Sequence, residues 1–164
     1  MKYNTQNNPK WKNQIMTKSD TWTDTLSQYG CLVSCLANIF QIIMNKVFTP
    51  KDMNDLIKQV DGYLYLNDKN TPENMASIIM WDRISQVSSK TISISTRISK
   101  SLYKNDTNMY FIAKVKYNGS PTGFHYMNVL GKSSDYFVCF DVYNGEVVLY
   151  KEADIIYFHK IERI

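Results

Sequence analysis

The chain has 164 residues, of which 44% are hydrophobic and 21% are charged, and its formal net charge is +4 at pH 7. This size and balance are typical of one globular domain with a single core, and they argue against a largely disordered chain. The lysines are scattered, without the runs expected of a dedicated nucleic-acid-binding module. We therefore expect a single domain over residues 1–164 with no specific nucleic-acid partner.

No stretch of the sequence approaches 18 uninterrupted apolar residues, and the first residues lack an apolar segment of signal-peptide length. Three cysteines are an odd number and too few for a disulfide framework, which indicates a reducing compartment. The sequence thus predicts a protein that is made in the cytoplasm, does not insert into a membrane and has at least one free thiol.

The start of the chain predicts an irregular segment followed by a buried helix. Residues 1–30 are polar and predict a mostly irregular N-terminal arm, which Trp11 and Trp22 would anchor on the rest of the domain. From Cys31 to about Asn45, apolar residues recur at helical spacing over most of the circumference. This pattern predicts a central, largely buried helix.

Two further helices are predicted from their start signals. Residues 49–52 combine an N-cap threonine, a proline at the first helical position and an acid in the first turn, and this second helix would end at Asp61-Gly62. Thr71-Pro72-Glu73 repeats the signal and predicts a third, shorter helix through Ile79 and as far as Ile84.

After about residue 90, the apolar residues alternate or form short continuous runs, which is typical of strands. Six strands are predicted, at residues 91–98, 109–117, 125–130, 136–140, 147–150 and 155–161. Turn residues at 118–119, 132–135 and 144–145 predict hairpins between neighbouring strands. Helices in the first half and an antiparallel sheet in the second half indicate an α+β fold.

Cys31 has the sequence context of a nucleophile. It follows Gly30 directly and opens the predicted central helix. The thiolate is the reactive form of cysteine, and the free amides at a helix N-terminus stabilise a thiolate. Gly30 would leave room for a substrate to approach. The context therefore makes Cys31 a candidate catalytic residue.

His125 and Asp141 complete the candidate site. His125 opens a predicted strand, and Asp141 ends the next one, sixteen residues later. Adjacent antiparallel strands would bring the carboxylate beside the imidazole and hold its productive tautomer. Asn144 is the alternative orienting residue. His159, the other histidine, has no comparable flanking pattern.

Each candidate also has a plain structural interpretation. Cysteines usually pack as small apolar residues, which is the reading that we favour for Cys35 and Cys139. Asp141 would otherwise be a turn residue. A zinc site formed by Cys31, Cys35 and His125 would lack a fourth ligand and the usual ligand spacing. We therefore predict neither a metal nor an organic cofactor.

Three segments of the chain resemble the papain-fold cysteine peptidases of the double-glycine-leader (bacteriocin-processing) type, especially their compact phage-encoded and bacterial members. They are residues 27–37 with Trp11 upstream, residues 48–50 with the following helix, and residues 125–131 leading to 140–145. The resemblance implies a papain-like fold in which the central helix packs on the C-terminal sheet. It also implies the roles of nucleophile for Cys31, general base for His125 and orienting acid for Asp141.

The chain departs from this family's pattern at two positions. The oxyanion-hole glutamine commonly stands six residues before the cysteine, where this chain has Thr25, and Gln28 lies only three residues before it. Loss of one such donor typically costs about 10²-fold or more in rate. Val142 replaces a frequent proline after Asp141 and leaves the carboxylate in place.

The resemblance implies a cysteine peptidase or amidase that forms a thioester acyl-enzyme. Its substrate would be a peptide, a protein precursor or the peptide part of a cell-wall polymer. The alternative is an inactive peptidase-like fold that serves as a phage virion component or binding module. A composition rich in Asn, Lys, Ile and Tyr is typical of an AT-rich genome, and such a lone domain would suit a phage. Virion proteins would then be its partners and the virion its location.

Overall fold

A computed structural model describes residues 2–19, 21, 23–66, 75–87, 92–119 and 122–164 of the chain. The fold is α+β, as predicted: helices from the first half of the chain lie against an antiparallel sheet from the second half. Within these ranges, no helix combines the length and apolar character needed to cross a membrane.

The described helices are α1 (Leu26–Tyr29), α2 (Cys31–Ile43), α3 (Pro50–Gln59) and α4 (Trp81–Val87). Ten of the thirteen residues of α2 are buried, so the predicted central helix is confirmed. The predicted start of α3 is also confirmed. The Thr49 side chain accepts a hydrogen bond from Asp52 N at 3.2 Å, and the Asp52 carboxylate accepts one from Thr49 N at 2.8 Å.

All six predicted strands are present. They are β3 (Ile92–Ile98), β4 (Met109–Lys116), β5 (Phe124–Ser133), β6 (Tyr136–Asp141), β7 (Glu146–Lys151) and β8 (Ile155–Arg163), and two short strands, β1 (Tyr63–Tyr65) and β2 (Met75–Ile79), precede them. The large sheet has the order β3-β8-β4-β5-β6-β7, with every pair antiparallel. The predicted hairpins connect β4 to β5, β5 to β6 and β6 to β7. The C-terminal strand β8 lies between β3 and β4.

The predicted third helix is wrong over residues 75–79. Its start signal at residues 71–73 lies outside the described residues, and Met75–Ile79 forms a strand that pairs with Tyr63–Tyr65. A helix does follow, but it begins only at Trp81. A short apolar run is compatible with the periodicity of a helix or of a strand, and here pairing with β1 makes the segment a strand.

The described residues before α1 form a largely irregular N-terminal arm that lies against the end of the sheet. Trp11 is buried and donates its Nε1–H to the carbonyl of Thr5 at 2.8 Å, so it is an anchor. Gln6 N donates to the carbonyl of Val142, just after β6, at 2.8 Å. Trp22, the other predicted anchor, lies outside the described residues.

Gly30 joins α1 to α2, and the structure gives a different reason for glycine there. A β-carbon at Gly30 would clash with the backbone carbonyl of Leu26. We therefore expect Gly30→Ala to lower the free energy of unfolding by about 2 kcal/mol, as overpacking does. Urea denaturation would measure it. Gly131→Ala is the matched control, since a β-carbon there meets nothing within 4 Å. Equal stabilities of the two variants would contradict this explanation.

Candidate functional site

Cys31 is the first residue of α2, and Gly30 is its N-cap. The side chain is half-buried, forms no disulfide and lines a cleft of about 770 Å³. The first N–H groups of a helix have no partner within the helix, and the helix dipole is positive at this end. The fold therefore exposes the thiol to the cleft in a setting that favours a negative charge.

Asn128 fastens the Cys31 helix to β5, the strand that carries His125. The buried Asn128 side chain donates its Nδ2–H to the Cys35 carbonyl at 3.0 Å. Its Oδ1 accepts a hydrogen bond from Asn38 Nδ2, also at 3.0 Å. Asn38 in turn bonds to both backbone groups of Asn4 in the arm. This amide network fixes the position of α2 relative to β5, and the sequence analysis did not identify it.

His125 and Asp141 lie side by side on the neighbouring strands β5 and β6. His125 Nε2 is 2.7 Å from Asp141 Oδ1, and both side chains are almost completely buried. With Nε2–H donating to the carboxylate, Nδ1 is the ring nitrogen left to face Cys31. The fold thus brings the three predicted residues together: Cys31 and His125 line the cleft, and Asp141 lies behind His125.

The surroundings of His125 favour its charged form. Burial lowers the pKa of His125, but hydrogen bonds to Asp141 and Cys31, together with their negative charges, raise it to about 9. Burial likewise works to raise the pKa of Asp141, and the hydrogen bonds from His125 and the Tyr143 backbone outweigh it, so this pKa is lowered. The geometry therefore stabilises an imidazolium–carboxylate pair.

The turn after β6 holds the Asp141 carboxylate in place. Tyr143 N donates to Asp141 Oδ1 at 2.8 Å, and Asn144 Nδ2 donates to Oδ2 at 3.2 Å. Asn144, the predicted alternative orienting residue, therefore acts on the carboxylate. The backbone N–H of Gly145, whose φ is +78°, donates to the Asp141 carbonyl at 2.8 Å.

The two predicted oxyanion candidates are bonded to each other. Thr25 precedes α1, and both its backbone N–H and its hydroxyl donate to Gln28 Oε1, at 3.1 and 3.0 Å. Gln28 lines the cleft, whereas Thr25 is not among the lining residues. Thr25 therefore has a local structural role at the start of α1, and the Gln28 amide nitrogen has no acceptor among the described residues.

The structure brings a second glutamine to the cleft, which the sequence analysis missed. Gln6 is 2% exposed and donates its Nε2–H to the Ser27 carbonyl at 2.9 Å. Its Oε1 has no hydrogen-bond partner among the described residues. The second proton of Nε2 likewise has no acceptor among those residues. Gln6 lies in an irregular arm far from Cys31 in sequence, so no local pattern distinguished it.

The other cysteines are packed in the interior, as we expected. Cys35 and Cys139 have no exposed surface. Burial raises the pKa of both thiols, that of Cys139 to about 12. In the part of the chain that the structure describes, no group of three or more His, Cys, Asp or Glu side chains has an arrangement suited to a metal ion.

Another part of the cleft lining is basic and aromatic. It includes Arg97, Lys114, Phe124, Tyr126, Tyr157 and His159. None of these residues was identified as a site residue from sequence, because they come from four different strands. Only the order of those strands in the sheet brings them together.

No protein-family model matches the chain, and no curated protein matches it. The function is therefore inferred from the chain's own geometry.

Proposed function

We propose that this chain is a cysteine peptidase or amidase with a papain-like fold, in which Cys31 is the nucleophile, His125 the general base and Asp141 the orienting acid. The observation that carries the proposal is the 2.7 Å contact between His125 Nε2 and Asp141 Oδ1, beside the cleft-lining Cys31. A helix that begins at the cysteine and is bonded to the histidine strand supports the proposed fold.

The proposed reaction begins with proton transfer from the Cys31 thiol to His125 Nδ1. The thiolate sulfur attacks the carbonyl carbon of the amide and forms a tetrahedral oxyanion. As the C–N bond breaks, His125 returns the proton to the leaving amine, and a thioester remains. Water then attacks the thioester carbonyl carbon while His125 takes a proton from it. The C–S bond breaks, the carboxylic acid product leaves, and His125 returns the proton to the Cys31 sulfur.

The oxyanion would receive hydrogen bonds from the backbone N–H of Cys31 and from one glutamine. Gln28 and Gln6 both line the cleft, and each has an amide N–H without an acceptor in the part of the chain that the structure describes. Either glutamine would replace the donor that is missing at Thr25. The buried position of Gln6, and its bond to α1 beside Cys31, favour Gln6.

The test is the rate of iodoacetamide labelling of each cysteine in the native protein between pH 5 and 9, resolved by mass spectrometry. We expect Cys31 to react rapidly at pH 6, because the positive charge on the neighbouring His125 ring would stabilise the thiolate. His125→Gln should slow this reaction at least about tenfold at that pH. Cys35 and Cys139 are internal controls, and they should react only after unfolding.

Slow labelling of Cys31, or labelling that does not depend on His125, would overturn the proposed enzyme. The alternative, an inactive peptidase-like fold used as a virion component or binding module, would then be favoured. This alternative is supported by Thr25, which stands six residues before Cys31, where the resembling peptidases commonly have the oxyanion-hole glutamine.

A further inference from the structure

Lys114 lies in an aromatic setting beside the proposed catalytic residues. On the sheet, its Cα partners are Tyr126 of β5 on one side and Tyr157 of β8 on the other. Its Nζ is 4.1 Å from the centroid of the Phe124 ring, and 5.4 Å from that of Tyr157. The aromatic faces stabilise the ammonium group without neutralising it. Lys114 is half-buried, so its charge is less screened than that of an exposed lysine.

Arg97 adds a second positive charge to the same cleft. It has a left-handed backbone, with φ +52°, at an irregularity in the pairing of β3 with β8. Residues other than glycine rarely adopt this conformation, and such strain concentrates at functional positions. An arginine held there is a candidate for substrate recognition.

Neither cation has a carboxylate partner in the described part of the chain. The salt bridges found there involve other basic residues, and none of the described residues that line the cleft is acidic. Lys132 and Lys160, by contrast, each pair with a glutamate. Among the described residues, the positive charge of the cleft is therefore uncompensated, which favours an anionic occupant.

His159 provides an independent indication of a ligand. It is 2% exposed, it lines the cleft, and neither ring nitrogen has a hydrogen-bond partner among the described residues. The imidazole stacks on Trp81, with ring centroids 4.2 Å apart. Leaving a buried polar group unpaired costs about 1–3 kcal/mol. A ligand oxygen that accepts a hydrogen bond from this ring would offset that cost.

We infer that Arg97, Lys114 and His159 form a subsite for a carboxylate, and that the substrate is a peptide with an acidic residue next to the scissile amide. The inference rests on the proposed function, because the subsite shares its cleft with Cys31. Tyr126 follows His125 on β5, lines the cleft with both Cys31 and Arg97, and has its hydroxyl 3.2 Å from that of Tyr157.

The test compares two thiol reagents of nearly equal size, the anionic iodoacetate and the neutral iodoacetamide. For Cys31, we divide the iodoacetate rate by the iodoacetamide rate and normalise this ratio to the same ratio for glutathione. The normalised ratio should be about ten, the effect of one charge-assisted hydrogen bond. The ratio cancels any change in the thiolate fraction. Added sodium chloride should lower the iodoacetate rate more than the iodoacetamide rate.

Arg97→Gln and Lys114→Gln should each lower this normalised ratio, and the double variant should bring it close to one. Lys116→Gln is the matched control, because Lys116 is an exposed lysine two residues further along β4 that does not line this cleft. It should retain the wild-type ratio.

The outcomes separate the two proposals. If iodoacetamide labelling of Cys31 requires His125 but the normalised ratio is one in the wild type, the carboxylate subsite is overturned and the proposed enzyme stands. The subsite is equally overturned if Lys116→Gln lowers the ratio as much as Lys114→Gln does. If neither reagent labels Cys31 rapidly, both proposals fail.

Discussion

The free energy of unfolding is expected to fall by about 3 kcal/mol between pH 6.5 and pH 9 through the titration of His125 alone. Its pKa in the folded protein is raised to about 9, from an ordinary value of 6.5. Below pH 6.5, the folded and unfolded chains are both protonated at this residue, and the stabilisation is fully present. Between 6.5 and 9, the unfolded chain releases the proton that the folded chain retains, so stability is lost as the pH rises.

His159 should have the opposite effect on stability. Burial, and the charges of Arg97 and Lys114, lower its pKa to about 4. As the pH falls from 6.5 towards 4, the unfolded chain takes up a proton that the folded chain does not bind, and the folded state is destabilised. The two histidines together therefore predict maximum stability near pH 6.5.

The measurement is urea denaturation at several pH values from 4 to 9, for Cys31→Ser, which removes the titration of the thiol, and for the same variant combined with His125→Gln or His159→Phe. The combination with His125→Gln should lose the decline above pH 6.5, and the combination with His159→Phe the decline below it. These are the two histidines of the chain, so NMR titration can resolve both. A native pKa near 6.5 for His125 would contradict the ion pair with Asp141. Asp141→Asn should lower the His125 pKa more than Cys31→Ser does.

Replacing Asn128 by leucine is expected to cost about 2–3 kcal/mol of stability and to slow Cys31 labelling in the protein that remains folded. The change removes the hydrogen bonds to the Cys35 carbonyl and from Asn38, both in a buried network. Since these bonds fasten α2 to β5, the thiol and the imidazole should lose their alignment. Urea denaturation and iodoacetamide labelling would measure the two effects.

Asn54→Leu is the matched control for this prediction. Asn54 is also fully buried, and it bonds to the Tyr63 hydroxyl and to the Ile15 carbonyl, away from the catalytic residues. Its loss should cost similar stability but leave Cys31 labelling in the folded protein as fast as in the wild type. If both variants label equally fast, Asn128 stabilises the fold without positioning the site.

Local patterns were sufficient to predict the elements that have a clear period and clear ends. The apolar stripe after Cys31 is helical, the Thr49 cap starts α3, and six strands lie where alternation placed them. The segment Met75–Ile79 was predicted incorrectly, because a short apolar run without a visible partner fits a helix or a strand equally well. Its partner, Tyr63–Tyr65, was too short to be recognised.

The sequence by itself determined the α+β class, the helix that begins at Cys31 and the proximity of His125 to Asp141. These depend on residue order, on local periodicity and on strands adjacent in the chain. Only the tertiary structure decided which distant residues surround the thiol. The insertion of β8 between β3 and β4 brings Tyr157 and His159 to the cleft, and the folding back of the arm brings Gln6. Such contacts come from packing between elements far apart in sequence, and no local pattern encodes them.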